Sequence, residues 1–231
     1  MRLIAFKNKR LHILLISLTM CVVGVCLSFL FFSQPTTPIL LFSQKSFDPV
    51  LQSFITMHGR GAMPPLNFFR KYYDLYGPEN ILASLKKDQD CHERSHSMGQ
   101  IIYEKIGDLA NATLVCKNAC ASGCIHGVLM GFFGVKQESE VPFSYEITPA
   151  IREKILQTCS QNTVTKYIGI GNCYHAVGHA IMALVSNNIQ AGIELCRLFH
   201  NSGPGAVFYC VTGIYMQRNI MLGAIDSMKE G

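Results

Sequence analysis

Tryptophan is absent from this 231-residue chain, and charged residues make up only 15% of it, against about 25% in an average soluble protein. Little charge combined with 49% apolar residues excludes an intrinsically disordered chain, because there is ample apolar surface to bury. Positive charge is missing where a nucleic acid would need it. Of the net charge of +5, Arg2, Lys7, Lys9 and Arg10 supply four units, which leaves 16 basic against 15 acidic residues elsewhere. A nucleic-acid binder carries its excess on the folded domain, so no nucleic-acid partner is expected. Beyond residue 50 strand-like alternation is scarce. There is no nucleophile elbow, Walker loop or dinucleotide fingerprint. There is also no C-x-x-C pair and no C-x-x-C-H haem attachment motif.

One long uncharged run is present. Residues 11–32, LHILLISLTMCVVGVCLSFLFF, carry no formal charge apart from His12 if it is protonated. At about 1.5 Å per residue a helix of this length crosses a hydrocarbon core of about 30 Å. A cleaved signal peptide has an apolar middle of only about 7 to 15 residues and small residues at its cleavage site. This run is longer and ends in Leu30-Phe31-Phe32. The sequence therefore predicts an uncleaved, single-pass signal-anchor, with the membrane as partner of residues 11–32. Basic residues in 1–10 place the N-terminus in the cytoplasm by the positive-inside rule. The remainder is then extracytoplasmic, in periplasm, lumen or cell exterior. Residues 33–50, with Pro35, Pro38 and Pro49, read as a stem, and 51–231 as an α-helical Cys/His-rich domain.

Eight cysteines follow the anchor, an even number that favours disulfides in an oxidising space. Cys159 to Cys173 spans 14 residues, as does Cys196 to Cys210, and the two pairs are offset by 37. This predicts one disulfide within each pair. Cys116 and Cys124 form a shortened version, which leaves Cys91 and Cys120 as partners. Three segments, CIHGVLMG from Cys124, CYHAVGHA from Cys173 and CVTGIYMQ from Cys210, align with a small residue three after the cysteine and a β-branched residue four after it. A period of this length points to stacked helix pairs. The layout resembles helix-pair repeats of the tetratricopeptide kind, without their Trp-and-Tyr signature. The expected fold class is all-α: a transmembrane helix followed by a disulfide-bridged, solenoid-like repeat domain. Segments 66–76, 80–88 and 91–107 read as its first helices.

Histidines give the chain its candidate chemistry. His92 and His96 are four apart on one predicted helix, as are His175 and His179, so each pair points one way. His126 aligns with His175. If the second helices of successive pairs run parallel, His126, Met130, His175, His179 and Met216 line one face. His92, His96, His126, His175 and His179 are thus the candidate metal ligands. Imidazole suits zinc or copper first and iron as well. Residues 92–96 also spell HERSH, which fits the zincin pattern with Glu93 as general base. Ile102 stands where a longer metzincin pattern needs a third histidine, and Arg94 and Asp90 are charged where zincins are not. Tyr103 and Glu104, further along the same helix, are candidate outer-shell partners of the histidines.

Metal binding on the His/Met face is the leading function. A non-enzymatic scaffold that binds a protein partner on the repeat face is the alternative, and an HExxH zinc-dependent hydrolase the second. The predicted topology is tested by fusing a reporter that works only outside the cytoplasm. It should be active after residue 231 and inactive before Met1. A mature N-terminus near residue 33 would convert the anchor into a signal peptide.

Overall fold

In the computed structural model the described residues are 46–59, 62–135, 147–160 and 162–229, with side chains described to residue 222. Residues 42–231 cluster as one unit. The expected anchor and most of the expected stem lie outside the described residues. Among the described residues no helix is long and apolar enough to cross a membrane. They hold ten α-helices and no strand. In chain order these are α1 (Asp48–His58), α2 (Leu66–Tyr76), α3 (Pro78–Leu85), α4 (Cys91–Ile106) and α5 (Leu109–Cys116). There follow α6 (Gly123–Phe132), α7 (Pro149–Thr158), α8 (Asn162–Leu184), α9 (Ile189–Cys196) and α10 (Ala206–Lys229).

Helix α1 begins within the segment read as stem, with Pro49 in its first turn, where a missing N–H costs nothing. Phe47, just before it, is fully buried among Phe68, Phe69, Tyr72 and Tyr76. Helix α3 starts at Pro78 rather than residue 80, for the same first-turn reason, after Gly77 turns the chain with φ 76°. It stops at Leu85 because residues 86–90 turn instead, the Asp90 amide donating to Asp88 Oδ1 at 2.9 Å.

That turn explains the charges that sit oddly in the zincin pattern. Arg94 is 1% exposed. Its guanidinium pairs with Asp88 and, at 3.2 Å, with Asp90, and Nε donates to the Ala62 carbonyl. A buried cation left without its partner costs about 3–5 kcal/mol. Arg94 therefore fastens the loop before α2 and the turn before α4 to the side of α4.

The repeat has a regular start that the cysteines alone did not reveal. The short helices α5, α7 and α9 are capped by Asp108, Thr148 and Asn188, each side chain accepting from the amide three residues on. The caps stand 40 residues apart. Such oxygens satisfy an otherwise orphaned N–H at a helix N-terminus. A disulfide then joins each short helix to the next: Cys116–Cys124, Cys159–Cys173 and Cys196–Cys210, with Cα separations of 5.5, 5.8 and 5.6 Å. Cys91–Cys120 ties the start of α4 to the α5–α6 loop.

The second helices cross with backbone against backbone. A Cβ on Gly127 would lie 1.9 Å from the His96 carbonyl oxygen, and one on Gly99 2.0 Å from that of Cys124. In the second half a Cβ on Gly213 would lie 2.0 Å from the His175 oxygen, and one on Gly178 2.0 Å from that of Cys210. The two crossings, α4 on α6 and α8 on α10, are thus the same contact made twice. Along both, contacts advance in step, from His92/Gly123 to His96/Gly127 and from Gly171/Tyr209 to His175/Gly213, so each pair runs parallel. Helix α8 is broken at Gly169, whose φ of 77° and ψ of 162° are not helical, and its second arm makes this crossing. Helix α6 also packs on α8, which brings the halves together.

Gly127→Ala and Gly213→Ala should each destabilise the protein by at least the ~1–3 kcal/mol of core overpacking, because the obstructing atoms are backbone. Gly192→Ala should cost less, since its Cβ meets the flexible end of Ile214. Chemical denaturation of the three variants measures the difference.

Candidate metal centre

Parallel crossings at this distance turn the histidines inward. His92 and His96 come from α4, His126 from α6, and His175 and His179 from the second arm of α8. All five meet. Ring centroids lie 5.1 Å apart for His92/His96, 4.9 Å for His92/His126, 4.4 Å for His126/His179 and 4.8 Å for His175/His179. His96, His126 and His179 are buried, and His92 and His175 partly so. The expected open His/Met face is therefore an interior cluster. The methionines are not part of it as drawn: Met130 is buried with its sulfur accepting from Gln100 Nε2, and Met216 is exposed.

Hydrogen bonding fixes three of the rings. The Cys120 carbonyl can only accept, so His92 Nδ1 donates to it at 3.1 Å and Nε2 carries the lone pair. Thr212 Oγ1 gives its proton to the Tyr209 carbonyl at 2.7 Å, so it accepts from His175 Nδ1 at 2.9 Å. Gln217 Oε1 accepts from His179 Nδ1 at 2.9 Å. In all three rings the unprotonated nitrogen is thus Nε2. Anchoring one ring nitrogen to an acceptor so that the other can ligate is the usual outer shell of metal-bound histidine. The Nε2 atoms of His175 and His179 face each other at 3.1 Å. With the Gln217 oxygen turned to His179 these two lone pairs repel unless a cation lies by them, whereas with the amide turned over His179 Nε2 donates to His175.

Other nitrogens are left over. His92 Nε2, both nitrogens of His96, and His126 Nδ1 are buried with no hydrogen-bond partner. Each unsatisfied buried polar group costs about 1–3 kcal/mol. One nitrogen each from His92, His126 and His179 lies within 4.8 Å of the others, a group able to hold a metal ion. Nitrogens on one zinc or copper ion, each at about 2.1 Å, can be at most about 4.2 Å apart, so the rings would close slightly around it. No carboxylate belongs to this group, and all eight cysteines of the folded part are in disulfides. The donors are neutral nitrogen only, a set that suits zinc, copper, nickel or iron.

Burial disfavours protonation of four of the rings. Desolvation, and then repulsion from neighbouring histidines, holds His96 and His126 well below the usual imidazole range. His175 is lowered mainly by desolvation. His179 is pushed to about 3, chiefly by desolvation, despite the opposing bond from Gln217.

The remaining sequence candidates fall elsewhere. Glu93 is half-buried on α4 and is not in the group of ligand atoms. The sheet that a zincin helix packs against has no counterpart among the described residues. Glu104 pairs with Arg70 at 2.7 Å, and Tyr103 packs edge-on to Phe132, so neither touches the histidines. Gln217 escaped the sequence reading. Its signal was a polar residue in a repeat column where the other copies have Gly131 and Ala180.

Acid should destabilise the metal-free protein. In the unfolded chain each imidazole takes up a proton near pH 6.5, whereas folded His179 does so only near pH 3. Stability is then complete above about pH 6.5 and falls as the pH drops toward 3, by about 1.4 kcal/mol per pH unit for each such histidine. Urea denaturation from pH 7.5 to 4.5 measures the slope. His179→Gln should make it shallower.

Comparison with family models, with curated proteins and with solved structures finds no match to this chain, so the chemistry of the centre has to be read from its own residues.

Proposed function

We propose that the chain is a membrane-anchored, extracytoplasmic metal-binding protein whose resident ion sits among His92, His126 and His179. The observation that carries this is the group of ring nitrogens from His92, His126 and His179 within 4.8 Å of one another, beside buried imidazole nitrogens that have no hydrogen-bond partner. Packing alone has no use for that arrangement. Neutral donors in a dry pocket give a transition metal affinity without competing protons at neutral pH. The anchor at 11–32 and the cytoplasmic residues 1–10 belong to the same reading, which the four disulfides support by pointing to an oxidising compartment.

A protein partner on α10 is the second reading. Phe208, Tyr215 and Leu222 stand seven apart on that helix and are exposed, a spacing that keeps them on one stripe. The peptidase reading has no comparable support.

Metal analysis of the full-length chain, purified in detergent without a His tag, tests the first reading. About one ion per chain is expected at neutral pH, as for a single closed site. His92→Ala and His179→Ala should each lower occupancy at least tenfold under a limiting metal buffer, and His58→Ala should leave it unchanged. A wild-type protein that takes up no stoichiometric metal would make the histidines packing residues.

A further inference from the structure

The geometry points to a closed, tetrahedral four-histidine zinc site made by His92, His96, His126 and His179, with His175 outside it; this rests on the metal-binding reading above. The six ring-centroid separations within that set are 5.1, 4.9, 6.1, 5.3, 5.2 and 4.4 Å. Four imidazoles around a tetrahedral ion at about 2.1 Å, each centroid about 1.1 Å beyond its nitrogen, would place all six at about 5.2 Å. Four of the six lie within about 0.3 Å of that value. The two outliers both involve His179, which stands close to His126 and far from His92.

The neighbour of His179 explains the displacement. His179 Nε2 lies 3.1 Å from His175 Nε2, off the centre of the set. An ion at the centre draws that nitrogen inward, lengthening the short separation and shortening the long one. The half-buried His175 ring then has access to water for its freed nitrogen. His175 has ring contacts with His126 and His179 but none with His92 or His96 among the described residues, so it stands outside the tetrahedron.

His96 is the fourth ligand because nothing else accounts for it. It is 1% exposed, and neither of its nitrogens has a hydrogen-bond partner. Its nitrogens stand outside the group of converging ligand atoms, but no bond holds its ring orientation, so the ring can turn either nitrogen toward an ion. Four equivalent neutral nitrogens leave no open position, which marks a structural rather than a hydrolytic zinc. The geometry favours zinc over divalent copper, which prefers a tetragonal set. The ion would join α4, α6 and α8, and so both halves of the repeat.

Cobalt(II) added to metal-stripped, full-length protein reports the coordination directly. The intense visible bands of tetrahedral cobalt are expected, with X-ray absorption of the zinc form giving four nitrogens near 2.0 Å. His175→Ala should keep those bands. His96→Ala should shift the bands as water takes the vacated position, reduce the absorption fit to three imidazoles and weaken zinc binding at least tenfold, while circular dichroism confirms that helix content is retained. Wild-type bands already weak, or an absorption fit with fewer than four nitrogens, would overturn the four-histidine site yet leave metal binding in place. So would bands and zinc affinity left unchanged by His96→Ala, or bands lost in His175→Ala. Absence of any cobalt or zinc uptake would overturn both readings together. The wild-type spectra decide the matter even if the His96 variant does not fold.

Discussion

Contact of helix backbone with helix backbone is the constraint from which the rest of the structure follows. At the crossings of α4 with α6 and of α8 with α10, glycine faces a carbonyl oxygen with no room for a methyl group. Helices that approach this closely exclude long side chains from the seam itself. Residues flanking the seam are pressed into the space between the two helix pairs, and five of those residues are histidines. The imidazoles are therefore buried as a result of the packing, not because any one of them is apolar enough to be there.

Such a core is costly while it is empty. Four buried nitrogens without partners, at about 1–3 kcal/mol each, add up to a burden comparable with the whole net stability of about 5–15 kcal/mol typical of a domain. Structural zinc binding supplies about 10–16 kcal/mol in small zinc domains. The comparison favours the metal-binding account of the cluster over packing alone. A core that evolved for packing alone would have apolar residues at these positions, which fill space without the penalty. The depressed proton affinities of His96, His126 and His179 work in the same direction, because a ligand must be neutral before it can bind.

Much of this was legible in the sequence because cysteine and histidine leave long-range marks. The 14-residue spacing, repeated at an offset of 37, marks the helix pairs, and His175 does contact Thr212 in the matching column. The HxxxH pairs mark two helix faces. What spacing could not give was the third dimension. The sequence places His92 and His96 before the repeat, and only the α4–α6 crossing sets them beside His126. A histidine at a given register reads alike on an open face or in a closed core. The glycines of the seam decide between these, and Gly99, Gly123 and Gly178 stand outside the repeat columns used to align the segments. What the sequence left unexplained was why a charge sits inside HERSH at all, which the buried pairing of Arg94 with Asp88 supplies.

The disulfides bridge 8, 14, 14 and 29 residues of sequence, and none of them crosses from the first half of the repeat to the second. Each half is thus covalently closed within itself, whereas the halves meet through the α6–α8 packing and the histidines. Oxidation of the chain is thereby divided into separable stages. The first half can oxidise before the second is complete, and no cysteine of one half has to wait for a partner in the other. Mispairing between halves would have to compete with local closures that are entropically cheaper. Oxidation closes each half separately, and an ion held among the histidines would add a link between them.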